Sequence, residues 1–172
     1  MTHLDRYLSP WAKHTAPDVV VDLLDDLFSR FDAVTAEHGI EKLKTVGDEY
    51  MAVAGAPTAR ANHAEVAVRA AVDMLEATDR WRQQHGLALP IRIGLASGPV
   101  VGGVIGQQRI VFDLWGDTVN TAARMQSTGV HGRIQVSQST MERTDGAFEF
   151  EGRVVDVKGL GHLMTYLLVE ER

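Results

Sequence analysis

Phe112-Asp113-Leu114-Trp115-Gly116-Asp117-Thr118-Val119-Asn120-Thr121-Ala122-Ala123-Arg124-Met125 is the stretch on which the reading of this chain turns. Its first half is the end of an apolar run, Arg109 to Trp115, that reads as a strand carrying one carboxylate. Gly116-Asp117 then opens a helix to about Ser127, with Asp117 as candidate N-cap. Asn120 and Arg124 are four apart and share one helical face. Val119, Ala122, Ala123 and Met125 take most of the remaining surface. Arginine offers a planar fork of donors suited to phosphate oxygens, and asparagine can donate to an oxygen or accept from a donor. On spacing alone, a surface arginine with a capping asparagine is the commoner meaning.

Upstream, Pro90 opens a β-rich stretch. Ile91 to Ala96 and Val100 to Ile105 read as strands, punctuated by Gly98, Gly102, Gly103 and Gly106. Before it, Ala64, Ala67, Ala71, Leu75 and Thr78 mark a helix from about Ala61 to Gln84, closed by Gly86. Ile40 to Val46 and Glu49 to Gly55 form a hairpin across Gly47-Asp48. Val20, Leu24, Leu27, Phe31 and Val34 recur at helical spacing from about Asp18 to His38, between Pro17 and Gly39. Downstream come a strand at Arg133 to Val136, a short helix at Ser139 to Thr144, and strands at Arg153 to Lys158 and Leu163 to Val169. The order predicts one α+β domain, helices packed on a mixed sheet.

The bulk properties narrow the chemistry. The 172 residues are 45% hydrophobic and 23% charged, enough for a core. A net charge of −6 argues against a general nucleic-acid surface. No apolar run approaches the roughly 20 residues of a membrane span, and the N-terminus lacks a signal peptide's apolar stretch. The absence of cysteine excludes disulfides, thiolate catalysis and cysteine-based zinc sites. It fits a cytoplasmic setting, whether for this chain or for the cytoplasmic part of a longer protein. The seven histidines are scattered without zinc-ligand helical spacing, and no nucleophile elbow is present.

Four more residues carry candidate chemistry. Lys44 lies on a strand, opposite in direction to Leu43 and Thr45. Asp113 sits inside an apolar strand, where a carboxylate either faces water at an edge or is buried with a partner. If the two meet, they present a donor and an acceptor able to read a purine edge. Asp48, at the tight turn, either bonds its own backbone or holds Mg²⁺ with a second carboxylate and phosphate oxygens. Lys158, before Gly159-Leu160-Gly161, is either an exposed turn lysine or a point charge for phosphate.

Taken in order, these segments resemble the class III nucleotide cyclase catalytic domain. The resemblance runs from about Ala16 to the end. It rests on Glu41 to Met51, Ile91 to Val100, Phe112 to Met125, and Val157 to Gly161. It implies a ferredoxin-like α+β fold, with helices on a mixed, mainly antiparallel sheet. It further implies that Lys44 and Asp113 read adenine and that Asp48 is one of two metal-binding aspartates for Mg²⁺ or Mn²⁺. Asn120 would orient the ribose, Arg124 would stabilise charge on the phosphates, and Lys158 would hold the terminal phosphates. The implied reaction is ATP to 3′,5′-cyclic AMP and pyrophosphate. The implied assembly is a head-to-tail homodimer in which Asp48 serves the partner's site.

The start departs from that pattern. The family begins with an apolar strand ending in an aspartate, and residues 1–172 read as a domain truncated before it. Asp5 is the nearest acid, but His3, Leu4, Arg6 and Tyr7 do not resemble a buried strand. Without that strand the middle of the sheet has a gap. Either other elements fill it, or the fold is weakened and one metal is lost; in both cases weak turnover is expected. The competing reading is a non-catalytic, cyclase-like module that binds nucleotide or dimerises. A guanylate cyclase is a third option.

Overall fold

The computed structural model describes residues 2–3, 15–106, 111–157 and 161–172. Asp5 and Lys158 lie outside them. Helix α1 spans Pro17–His38, with proline in its first turn and Gly39 closing it at φ 62°, as the start and stop residues predict. Strands β2 (Glu41–Val46) and β3 (Glu49–Val53) form the expected hairpin. Helix α2 (His63–His85) follows, then β4 (Arg92–Leu95), β5 (Val101–Ile105) and β6 (Val111–Trp115). Helix α3 is Asp117–Ser127. Strand β7 (Ile134–Ser137), helix α4 (Gln138–Glu142) and the long hairpin of β8 (Phe148–Val157) and β9 (Gly161–Glu171) complete the chain.

Residues Thr2–His3 form β1, the third of seven strands in the main sheet, between β3 and β4. The strand order is β2-β3-β1-β4-β7-β9-β8, and only β4–β7 is parallel. Thr2 is opposite Tyr50 on one side and Ile93 on the other. The place where the sequence showed a gap is thus filled by these two residues. Strands β5 and β6 form a separate ribbon.

Strand alternation sorts the side chains onto two layers. Ile93, Ile134 and Val136 face α1 and α2, in one buried cluster with Leu27, Phe31, Val68, Met74 and Trp81. Gly94 and Gln135, paired across β4 and β7, face the other way, toward α3. Gly94 is what allows α3 to lie against the sheet. A Cβ there would stand 2.1 Å from the Gln126 backbone nitrogen and 2.6 Å from the Ala122 carbonyl oxygen.

Two sequence expectations need correction. Asp117 is not the N-cap: Gly116 caps α3, with φ 132° and no side-chain hydrogen bond, and Asp117 is the first helical residue. Its charge still suits the positive end of the helix. Strand β8 begins at Phe148 rather than Arg153. Phe148 and Phe150 alternate with Glu149 and Glu151, but a register shift at Glu149/Phe150 and the glycine at 152 break the signal. Among the described residues, no helix is long and apolar enough to cross a membrane.

Candidate active site

The site is built around the β6–α3 connection. Strand β6 ends at Trp115 and α3 begins at Asp117, leaving Gly116 alone as the link. Asp113 and the helix bearing Asn120 and Arg124 are therefore fixed to each other by a very short stretch of backbone. Thr118 adds a stitch: its hydroxyl donates to the Pro99 carbonyl at 2.7 Å.

Lys44 and Asp113 meet. Lys44 Nζ donates to Asp113 Oδ2 at 2.5 Å, joining the β2–β3 hairpin to the ribbon. Asp113 Oδ1 accepts from the Leu114 backbone N–H at 2.9 Å. A bulge makes the meeting possible. The β2 register slips between Lys42, opposite Ala52, and Lys44, opposite Met51. Simple alternation would put both lysines on one face; the extra residue puts them on opposite faces. Lys42 turns to α1, donating to Asp32 at 2.7 Å over the Tyr50 ring. Lys44 is left to Asp113. The Tyr50 hydroxyl donates to the same Asp32 at 2.7 Å, and burial pushes its phenol well above the usual value.

Hydrogen bonding from Lys44 holds the Asp113 carboxyl below the usual carboxylate range, against the opposing effect of burial. A depressed carboxylate pKa gives a stabilising term that is fully present above the unfolded value and fades as pH falls through the folded one. The melting-temperature difference between the native chain and Asp113→Asn is therefore expected to be flat from about pH 5 to 8. It should shrink only below about pH 4. A difference that changes across neutrality would show that Lys44 does not govern this carboxylate.

A mainly apolar recess of about 100 Å³ is lined by Leu43, Met51, Leu114, Val119 and Ala122 among others. Leu43 and Leu114, the chain neighbours of Lys44 and Asp113, line it; the pair itself does not. Asn120 is exposed and Arg124 partly buried. Neither side chain has a partner among the described residues, so both remain available to a ligand. Asp48 sits at the β2–β3 turn, next to β1, whose His3 pairs with Glu49. It is at the tip of the hairpin.

As a hard oxygen donor, Asp48 fits Mg²⁺ or Mn²⁺. Among the described residues no group of three or more His, Cys, Asp or Glu gathers to hold a metal. A metal at Asp48 would therefore complete its shell from triphosphate oxygens and another carboxylate. Sequence reasoning missed the residues that hold α3, namely Gln135, Arg153 and Thr128. They come from separate elements and carry no local spacing signal.

Comparison with known proteins follows the same lines. Residues 3–170 match the family profile described as adenylate and guanylate cyclase catalytic domain. An adenylate cyclase of Mycobacterium tuberculosis is 42% identical over 159 residues, covering 92% of this chain and 36% of that protein. Retinal guanylyl cyclase 1 of Rattus norvegicus is 43% identical over 160 residues, covering 89% of this chain and 14% of that protein. The chain thus spans about a third of the first relative and a seventh of the second. Among solved structures, the guanylate cyclase domain of RhGC from Catenaria anguillulae in complex with GTP superposes with a TM-score of 0.93. It has 35% identity and covers 99% of this chain and 94% of that one.

Proposed function

Because the chain belongs to the adenylate and guanylate cyclase catalytic-domain family, we propose that it is an adenylate cyclase domain working as a homodimer. The observation that carries the choice of base is the Lys44–Asp113 pair. Adenine presents a donor at its 6-amino group and an acceptor at N1. An aspartate accepts from the first and a lysine donates to the second. Guanine reverses both positions, so it must shift its edge to satisfy the same pair. The guanylyl cyclases among its relatives favour GTP as the competing substrate.

The 3′-hydroxyl of the ribose gives up its proton to solvent as its oxygen attacks the α-phosphorus; the bond from that phosphorus to the oxygen bridging to the β-phosphate breaks, and pyrophosphate leaves with the electron pair. Asn120 orients the ribose ring. Arg124 neutralises charge that grows on the phosphate oxygens, and its fork geometry matches two of them. Lys158 grips the terminal phosphates. Asp48 holds a divalent ion in the partner's site; the ion, when bound, neutralises phosphate charge and acidifies the attacking hydroxyl. Supporting the dimer are Val101, Val104, Ile105 and Trp115, large apolar residues exposed on the β5–β6 ribbon beside Asp113. Apolar surface of this kind is often covered in an assembly.

The test is cyclic nucleotide formation by the purified chain with ATP or GTP, in Mg²⁺ or Mn²⁺. ATP is expected to be preferred, and Lys44→Ala should reduce the ATP-to-GTP ratio of kcat/KM by about tenfold, the scale of one lost charged hydrogen bond. GTP preferred over ATP would assign the guanylate cyclase instead. If Asp48 is the sole metal carboxylate, turnover stays weak even in Mn²⁺. Rapid Mn²⁺-dependent synthesis would mean that a second carboxylate completes the site. Nucleotide binding with no turnover, alone or mixed with a complete cyclase, would favour the binding module.

A further inference from the structure

The carboxyl end of α3 is held in an unusual way. A helix leaves its last four carbonyls without helical partners, and they commonly face water or a glycine turn. Here side chains from three strands reach them. Arg92 of β4 donates from Nη1 to the Ser127 carbonyl at 2.9 Å. Gln135 of β7 donates from Nε2 to the Met125 carbonyl at 3.0 Å. Arg153 of β8 donates from Nη1 to the Thr128 carbonyl at 3.1 Å. Two of these donors are guanidinium cations at the negative end of the helix dipole.

The bonds also connect to one another. Arg153 Nη1 donates to Gln135 Oε1 at 3.1 Å. Gln135 Nε2 gives its second hydrogen to Thr128 Oγ1 at 2.8 Å. Thr128 Oγ1 then donates to the Arg124 carbonyl at 2.8 Å, which also accepts from the Thr128 backbone N–H at 3.0 Å. A donor chain therefore runs from β8 through β7 and ends on the backbone of Arg124.

Gln135 has no solvent exposure, and its neighbours in β7, Ile134 and Val136, are buried aliphatics. An apolar residue could fill the same place. A buried carboxamide is costly unless every polar atom is satisfied, and here each one is. What a polar network adds over aliphatic contact is direction: it is satisfied at one rotation and one axial setting of the helix. Gly94 brings α3 close to the sheet but puts no side chain there to fix its register.

We propose that Gln135, with Arg153 and Thr128, is a positioning residue for the reaction: it sets the register of α3 and so the aim of the Arg124 guanidinium. This rests on reading Arg124 as the phosphate-facing cation. A displacement of about 1 Å at a reacting group costs about a hundredfold in rate.

The test uses Gln135→Met, Arg153→Met and Thr128→Val, each made in the native chain and in Arg124→Ala. In the native chain, kcat is expected to fall about 10- to 100-fold while KM for ATP moves less than about threefold. In the Arg124→Ala background the same changes should alter kcat by less than about twofold, since there is no guanidinium left to aim. Thr128→Ser, which keeps the hydroxyl, should stay within about twofold of the native chain. Equal losses in both backgrounds, or losses carried by KM, would overturn the positioning role while leaving the cyclase reading intact. If Gln135→Met does not fold, the Thr128→Val and Thr128→Ser pair decides, since each alters a single side chain by very few atoms. A native chain that turns over neither ATP nor GTP in either metal overturns the cyclase reading, and this proposal with it.

Discussion

Replacing Arg124 with alanine is expected to lower kcat by about 10²–10³-fold, the scale measured when one preorganised donor is lost from a developing anion. The argument begins with what Arg124 does not do. It has no side-chain partner among the described residues, so its removal breaks no ion pair among them. Its helix is held through backbone carbonyls, the close approach at Gly94 and the buried Met125, none of which needs the guanidinium. Stability should change little, with a melting temperature within about 2 °C of the native chain. On the proposed role, in which Arg124 meets the charge added in the transition state, KM should change less than kcat. Arg124→Lys should recover only part of the rate, since an ammonium replaces a planar fork by a point charge. The measurement is steady-state cyclic nucleotide production. A loss of less than about fivefold would remove Arg124 from the chemistry.

Gly94→Ala should produce the largest loss of stability. The added methyl meets backbone on α3, at 2.1 Å from one nitrogen and 2.6 Å from one carbonyl oxygen. Neither atom can rotate away as a side chain could. The helix must lift from the sheet, giving up the Gln135 bond and the packing of Met125, which is fully buried. The cost should reach or exceed the upper part of the usual overpacking range, about 3 kcal/mol. For a domain of this size that is a melting-temperature fall of about 6–12 °C. Gly132→Ala is the control. Nothing lies within 4 Å of its would-be Cβ, but its φ is 71°, so only a backbone penalty of about 1–2 kcal/mol is expected. Equal effects at the two glycines would mean that α3 does not depend on this contact.

How much of this could be seen beforehand follows from the range of each signal. Helix α1 was legible because Pro17 and Gly39 bracket a run with helical apolar spacing, all of it local information. The β2–β3 hairpin and the β6–α3 junction were legible for the same reason. That Lys44 and Asp113 meet is a contact across 69 positions. Spacing could only raise it as a condition, and the family resemblance supplied the pairing. The bulge at Leu43 left no mark, because it depends on how β2 settles against β3. Strand β1 is two residues long, too short for any periodicity. The clamp on α3 was invisible because a glutamine, an arginine and a threonine in three elements look like ordinary polar residues until the sheet stacks them.

The bulge in β2 also bears on how this strand tolerates insertions and deletions. Excising Leu43 alone would make the two lysines neighbours in a regular strand, still opposite Ala52 and Met51 and still on opposite faces, while removing the Leu43 side chain from the recess it lines. Keeping Leu43 but flattening the bulge would instead turn both lysines to one face, and one of the two anchorages, to Asp32 or to Asp113, would be forfeited. Both anchorages therefore survive if the extra residue is kept as a bulge or cut out whole, and fail only if it is drawn into the ladder.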